Sequence, residues 1–154
     1  MFSYAAIVSD LTPPLRTGSG FWPIGYFRAE LVDDVIRVAS SGEFNWECAQ
    51  QFRHGLLELV GRLPSVFGIL SEFDVAPIMT PEVEPLMARL TAEGKQVGFY
   101  ASAFVPLRPE GVVIAQAQWA RIYAPLGLEI RFFDETAAAR EWLSETLARK
   151  RNSR

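Results

Sequence analysis

Apolar and polar residues alternate along this chain in blocks that predict five strands and four helices. Strand-like runs, in which every second residue or nearly every residue is apolar, are residues 26–31, 35–40, 66–73, 96–101 and 128–133. Between them, apolar residues recur every three or four positions, the spacing of a helix face, at residues 45–62, 80–94, 111–124 and 134–147. The predicted order is therefore β-β-α-β-α-β-α-β-α.

Short polar residues mark where these elements begin. Two aspartates at residues 33–34 separate the first two strands, which predicts a tight antiparallel hairpin. Asn45, Thr80 and Asp134 each stand before a helical run, so each is expected to cap a helix with its side-chain oxygen. Pro81 suits the first helical position, where its missing amide hydrogen costs nothing.

Strands that alternate with helices predict an α/β fold with a mostly parallel sheet, because each helical crossover returns the chain to the same edge. The initial hairpin adds an antiparallel N-terminal strand. A single domain is expected over residues 25–150, preceded by an N-terminal arm, residues 1–24, that prolines and glycines interrupt. Phe21 and Trp22 are expected to hold this arm against the domain or against a second subunit.

Composition narrows the function classes. The 154 residues are 49% hydrophobic and 21% charged, as in folded globular proteins, and the net charge of −3 gives no general attraction to nucleic acid. Cys48 is the only cysteine, so an intramolecular disulfide is ruled out. No apolar run reaches the length of about 18 residues that a membrane span requires, and the N-terminus lacks a signal-peptide pattern. A cytoplasmic protein is expected.

Two segments carry a family resemblance. They read VIRVASSGEFNWE at residues 35–47 and EIRFFDETAAAREWL at residues 129–143. The first segment contains a strand, a glycine and the start of a helix. The second matches an ending of the form F-x-(D/E)…A-x-x-W-L near the C-terminus. In this combination the chain resembles the SpoIIAA-like, or STAS-like, family. The resemblance spans residues 25–147 and implies an α/β fold of that type.

The same resemblance implies a regulatory or protein-interaction module without catalysis, which binds a protein partner or itself. Anti-sigma-factor antagonists of this fold are switched by phosphorylation of a serine at the start of the helix after the central strand. The corresponding stretch, DVAPIMTPEVE at residues 74–84, lacks the Asp-Ser-Ser/Thr-Gly pattern of that switch. Thr80 is its one hydroxyl at the helix start, and it remains a binding candidate although a kinase-driven switch is not expected.

Aromatic residues concentrate around one predicted strand, one loop and one helix. They are Phe99, Tyr100, Phe104, Trp119 and Tyr123. One interpretation is that they fill the interface between sheet and helix. The other is that they line an apolar pocket or a dimer surface under the loop at residues 102–111. Since other members of the wider family resemble the CRAL-TRIO lipid-transfer fold, the second interpretation implies a small lipid or other apolar ligand.

Few residues offer catalytic chemistry. Glu72 and Asp74 end a central strand, where ligands of open α/β sheets bind, and they are the best candidates for a polar site. The alternative is that Asp74 caps a turn while Glu72 is solvated. His54 and Cys48 share one helix at a spacing unsuited to zinc, and Cys48 is expected to be a small buried residue unless the helix dipole lowers its pKa. No cofactor or metal is expected, and Trp142 is expected to be a buried packing anchor.

Overall fold

The computed structural model describes residues 27–153, and these residues form the predicted α/β order. The strands are β1 (Phe27–Val32), β2 (Val35–Ser40), β3 (Phe67–Phe73), β4 (Phe99–Pro106) and β5 (Glu129–Phe132). The helices are α1 (Trp46–Leu59), α2 (Val83–Gln96), α3 (Val112–Tyr123) and α4 (Thr136–Asn152). Short 3-10 helices extend α1 over Val60–Arg62 and α3 over Ala124–Leu126. The predictions for residues 1–24, including those for Phe21 and Trp22, lie outside the described residues.

The sheet has the strand order β1-β2-β3-β4-β5. β1 pairs antiparallel with β2, and the other neighbours pair in parallel, as the sequence predicts. The hairpin closes over the two aspartates, and Asp33 adopts a left-handed φ of 58°, which a short polar side chain tolerates. The predicted topology and hairpin are therefore confirmed.

The strand order determines where the helices lie. Because the order never reverses, right-handed crossovers carry α1, α2 and α3 to one face of the sheet. Their apolar side chains form the larger core with Phe67, Ile69 and Phe73 of β3. α4 packs on the opposite face, where Leu143 and Leu147 contact a smaller core that contains Leu70.

A glycine sets the close approach of α4 to the sheet. A Cβ atom on Gly68 would lie 2.8 Å from Leu143 Cδ1 and 3.0 Å from the carbonyl oxygen of Ala101. Leu143 and Leu147 are fully buried there, whereas Trp142 is only half-buried and contacts the Phe133 ring at a centroid distance of 5.6 Å. Trp142 therefore packs against the smaller core as expected, but the expectation that it is buried was wrong, because the helix turns its leucines to the sheet.

One predicted helix cap is confirmed and two are wrong. Asn45 Oδ1 accepts a hydrogen bond of 3.0 Å from the amide of Cys48, as expected of an N-cap. Asp134 makes no cap, because Phe133 continues the sheet pairing by donating its amide hydrogen to Phe104. Glu135 consequently occupies the N-cap position, without a side-chain cap bond.

The start of α2 also differs from the prediction. Met79 forms an isolated parallel bridge with Phe44. The backbone is therefore still extended at the position where the helix is expected to begin. Thr80 contributes only its backbone oxygen, which accepts from the amide of Val83, and Glu82 occupies the N-cap. Thr80 is therefore not a side-chain cap, and Pro81 lies in the turn before the helix.

β4 lies further along the chain than residues 96–101. α2 runs on to Gln96, and the strand occupies Phe99–Pro106, with β3 on one side and β5 on the other. Phe104 is thus a buried strand residue and not part of a loop. A central parallel strand is covered on both faces, so its nearly continuous apolar run lacks the alternation that marks a half-exposed strand.

Candidate functional site

An apolar cavity of about 260 Å³ lies between the sheet and the helices α1 and α2. Its floor is formed by side chains of β3 and β4, among them Phe67, Ile69 and Phe99. α1 contributes Phe52 and Leu56 to one wall. On the α2 side the lining residues are Met87, Leu90, Thr91 and Gly94. Nearly the whole surface of the cavity is therefore hydrocarbon.

Edge-to-face aromatic contacts build one end of the cavity. The Trp119 ring lies 5.0 Å from the Phe104 ring and 5.3 Å from the Phe44 ring, in both cases nearly perpendicular to it. Tyr123 meets Phe99 in the same way at 5.9 Å. These are favoured geometries for aromatic pairs, so each ring fixes its neighbours. The structure thus brings together the sequence candidates Phe104, Trp119 and Tyr123, and all three line the cavity.

The other end of the cavity opens to solvent. Leu57, Val60 and Val97 line it and are 53%, 44% and 49% exposed. Leu57 belongs to the last turn of α1, Val60 to the 3-10 helix that follows, and Val97 is the C-cap of α2. Glu93, also exposed, is the one charged residue among the described residues that line the cavity. The mouth is therefore an apolar rim between the ends of two helices.

Three residues with hydroxyl groups interrupt the apolar lining. Ser102 Oγ and Tyr123 OH, both on buried residues that line the cavity, lie 2.8 Å apart and share a hydrogen bond. Burial raises the pKa of the Tyr123 hydroxyl, and the bond to Ser102 opposes this only in part. Tyr123 is therefore a neutral phenol at physiological pH. Thr91 also lines the cavity, but its hydroxyl donates to the backbone oxygen of Met87 at 2.6 Å.

The cavity does not lie under the loop at residues 102–111. Residues up to Pro106 belong to β4, so the loop that follows is shorter than the sequence suggests. The aromatic residues that line the cavity lie on the same face of the sheet as α1 and α2 and pack with them in one core. Tyr100, the remaining member of the aromatic group, does not line the cavity and donates its hydroxyl to Glu129 at 2.8 Å.

Thr80 lies apart from the cavity, in an open cleft of about 500 Å³. Glu43, Arg108 and Glu110 also line this cleft, beyond the carboxyl ends of β2, β3 and β4. The Thr80 hydroxyl is buried and has no hydrogen-bond partner among the described residues. The cleft matches the edge at which open α/β sheets bind ligands, but its shallow surface and mixed charges define no ligand.

Asp74 stabilises the loops that follow β2 and β3. Its Oδ1 accepts from the amide of Gly42 at 2.9 Å and from its neighbour Val75 at 2.8 Å. The interpretation of Asp74 as a turn cap is therefore confirmed, and the bond to Gly42 joins the loops that follow β2 and β3. This carboxylate lines neither the cavity nor the cleft.

Glu72 points to the opposite face of the sheet. It lies 3.6 Å from Arg37 and accepts a hydrogen bond of 3.0 Å from the hydroxyl of Thr136 at the start of α4. The side chain is 16% exposed, so the expectation that Glu72 is simply solvated was wrong. Its carboxylate connects β2, β3 and α4.

Sequence reasoning missed the residues of α3 that hold the segment between β3 and α2. The side-chain amide of Gln118 accepts from the amide of Met79 at 2.7 Å and donates to its carbonyl oxygen at 3.0 Å. The indole of Trp119 donates to the carbonyl oxygen of Pro77 at 2.9 Å. A glutamine on a helix face has no sequence signature, so only the packing of α3 reveals this role.

Cys48 is buried, with its Sγ 3.4 Å from Ser40 Oγ. Burial raises the pKa of this thiol, and the Ser40 contact lowers it to a lesser extent, so the net shift is upward, opposite to a lowering by the helix dipole. Within residues 27–153, no three His, Cys, Asp or Glu side chains are grouped as metal ligands. No helix in this part of the chain is long and apolar enough to cross a membrane.

Comparisons with known proteins do not assign this chain to a family. The structure shows the α/β fold with its N-terminal hairpin and parallel strands, and no comparison confirms membership of the SpoIIAA-like family. No family model, curated protein or solved structure matches this chain.

Proposed function

We propose that this protein binds a small apolar ligand in the cavity between the sheet, α1 and α2. One observation carries the proposal, namely that an apolar cavity of about 260 Å³ opens to solvent through a rim of exposed apolar residues. Its size exceeds the roughly 150 Å³ of an engineered apolar cavity that stays dry and binds benzene.

The energetic cost of an empty cavity supports a ligand. Unfilled apolar volume reduces the free energy of unfolding, by about 24 cal/mol per Å³ in enclosed cavities. Because this cavity opens to solvent at its rim, only its inner end is comparable to such a void. That apolar inner end offers water few hydrogen-bond partners, so an apolar ligand is favoured there over water.

The exposed rim provides the route for the ligand. Leu57, Val60 and Val97 place apolar surface at the mouth, where a ligand would leave water. Exposed apolar surface of this kind gains free energy when a ligand covers it. The role proposed is binding without catalysis, since Asp74 and Glu72 are both engaged in bonds between elements. No cofactor is part of the proposal.

Toluene binding tests this function. Saturating toluene should raise the Tm of the wild-type protein by several degrees, because a ligand that binds only the folded state stabilises it by mass action. Leu56→Trp should fill the cavity from α1 and abolish the shift, whereas Leu56→Met, a change of similar volume, should retain it. No shift in the wild-type protein, or an equal shift in Leu56→Trp, would contradict the proposal.

A second candidate is the regulatory or protein-interaction role implied by the family resemblance, in the form of self-association. The observation that favours it is the exposure of Val113 and Ile114, which are 78% and 57% accessible in the first turn of α3. Contiguous exposed apolar patches mark interaction sites, and these two side chains would form the centre of such a patch. Sedimentation should then show a dimer that the double change Val113→Ser and Ile114→Ser dissociates, and a monomer at all micromolar concentrations would exclude it.

A further inference from the structure

The polar group inside the apolar cavity indicates what kind of ligand fits. Ser102 and Tyr123 carry two hydroxyl hydrogens, and their mutual bond of 2.8 Å uses one of them. The described residues provide no second partner for the pair. The remaining hydrogen is therefore a donor in buried surroundings, where an unmade hydrogen bond is costly.

The charges around the cavity restrict the ligand further. No Lys, Arg or His is among the described residues that line it, and the single carboxylate, Glu93, is exposed at the mouth. A ligand carboxylate or phosphate would lose its hydration without gaining a counter-ion, which is strongly unfavourable in an apolar site. A cationic ligand would likewise find no carboxylate among the described residues beyond the rim.

We propose that the cavity selects an uncharged ligand with one hydrogen-bond-accepting oxygen, such as a ketone, ether or alcohol, which the Ser102–Tyr123 hydroxyl pair binds. This inference rests on the proposed ligand-binding function and specifies the class of ligand. Burial raises the pKa of Tyr123, so the phenol remains a donor throughout the neutral pH range. The edge-to-face contacts of Tyr123 with Phe99 and of Trp119 with Phe104 hold the pair beside the rigid aromatic end of the cavity.

Three ligands of equal chain length test the inference, namely octanone, octane and octanoate. They are titrated at neutral pH into the wild-type protein and into the double variant Ser102→Ala, Tyr123→Phe. The double variant removes both hydroxyls at once, so it leaves neither partner unpaired and should fold. Its octanone affinity should fall roughly five- to tenfold, the effect of one hydrogen bond, while its octane affinity stays within about twofold. Octanoate should not bind either protein.

The outcomes separate this inference from the function on which it rests. If octane and octanone bind the wild-type protein but the double variant binds octanone equally well, the hydroxyl pair is not the recognition group and the inference fails alone. Octanoate binding as tight as that of octanone would also overturn it. If neither octane nor octanone binds the wild-type protein, the proposed function fails as well. Unchanged octane affinity in the double variant shows that its cavity is intact.

Discussion

The indole N–H of Trp119 donates to the carbonyl oxygen of Pro77 across 42 residues of sequence, at 2.9 Å. This bond attaches the segment between β3 and α2 to the ring that closes the inner end of the cavity. Gln118, on the preceding position, holds Met79 through both of its amide atoms. The position of α2, which forms one cavity wall, therefore depends on two neighbouring side chains of α3.

Trp119→Phe tests this dependence. Phenylalanine retains an aromatic ring but leaves the Pro77 oxygen without its donor, and it enlarges the cavity beside Phe44. We expect a loss of about 2–3 kcal/mol in the free energy of unfolding, measured by urea denaturation. Trp46→Phe, at a 45% exposed position at the start of α1, is the matched control and should cost less than about 0.5 kcal/mol. Equal effects of the two changes would contradict the role assigned to Trp119.

We expect Asp74 to contribute to stability and not to ligand binding, through the hydrogen bonds that its Oδ1 accepts. Asp74→Ala leaves the amides of Gly42 and Val75 without their acceptor, so we expect a cost of about 2–3 kcal/mol. Asp74→Asn retains an oxygen that can accept both hydrogens and should cost about 1 kcal/mol or less. Thermal unfolding followed by circular dichroism compares the two variants. Toluene binding should be similar in both, and its loss in Asp74→Asn alone would place Asp74 in the ligand site.

α4 should depend more on Leu143 than on Trp142, although tryptophan is the larger residue. Leu143 is fully buried against Gly68, and Leu143→Ala should cost about 3–5 kcal/mol. Trp142 is half-buried against Phe133, so Trp142→Ala should cost about half as much. Chemical denaturation of the two variants gives the comparison directly. A larger loss in Trp142→Ala would mean that α4 is rotated from the orientation described here.

Stability should fall at alkaline pH because of Tyr123 and Cys48. Burial raises the pKa of both groups, whereas in the unfolded chain they titrate near about 10 and 8.5. The stabilisation is complete below these unfolded values. As the pH rises through them, the unfolded chain loses its protons first, and the free energy of unfolding falls by up to about 1.4 kcal/mol per pH unit for each group.

Single variants separate the two contributions to this pH dependence. Cys48→Ala should flatten the curve of stability against pH above about pH 8.5, and Tyr123→Phe should flatten it above about pH 10. Tyr100, whose pKa is raised chiefly by its hydrogen bond to Glu129, adds to the slope in the same range as Tyr123. The difference between each variant and the wild-type protein is therefore the quantity to compare. Curves parallel to that of the wild-type protein would contradict the burial of these groups.

The sequence predicts the fold well because the periodicity of apolar residues is local. The strand order and the hairpin depend on patterns within each element, and Asn45 acts as a cap because its partner is three residues away. The failures arise where distant residues decide the conformation. Met79 stays extended through contacts with residues 44 and 118, which delays the start of α2 beyond Thr80.

The candidate site was predictable only as a set of residue types. Phe104, Trp119 and Tyr123 are recognisable as an aromatic group, and the structure places them at one end of a single cavity. The mouth was not predictable, since Leu57, Val60 and Val97 belong to two helices whose ends meet only in the fold. Nor does the sequence show that Ser102 faces Tyr123, because the two residues are 21 positions apart.

The most direct test of the central claim is a crystal structure of the protein with bromobenzene, in which the bromine is located by its anomalous scattering. The claim predicts a bromine peak inside the cavity, bounded by Phe104, Trp119 and the inner face of α2, and no such peak in Leu56→Trp. A wild-type cavity without bromine at saturating bromobenzene, or a peak that persists unchanged in Leu56→Trp, would contradict it.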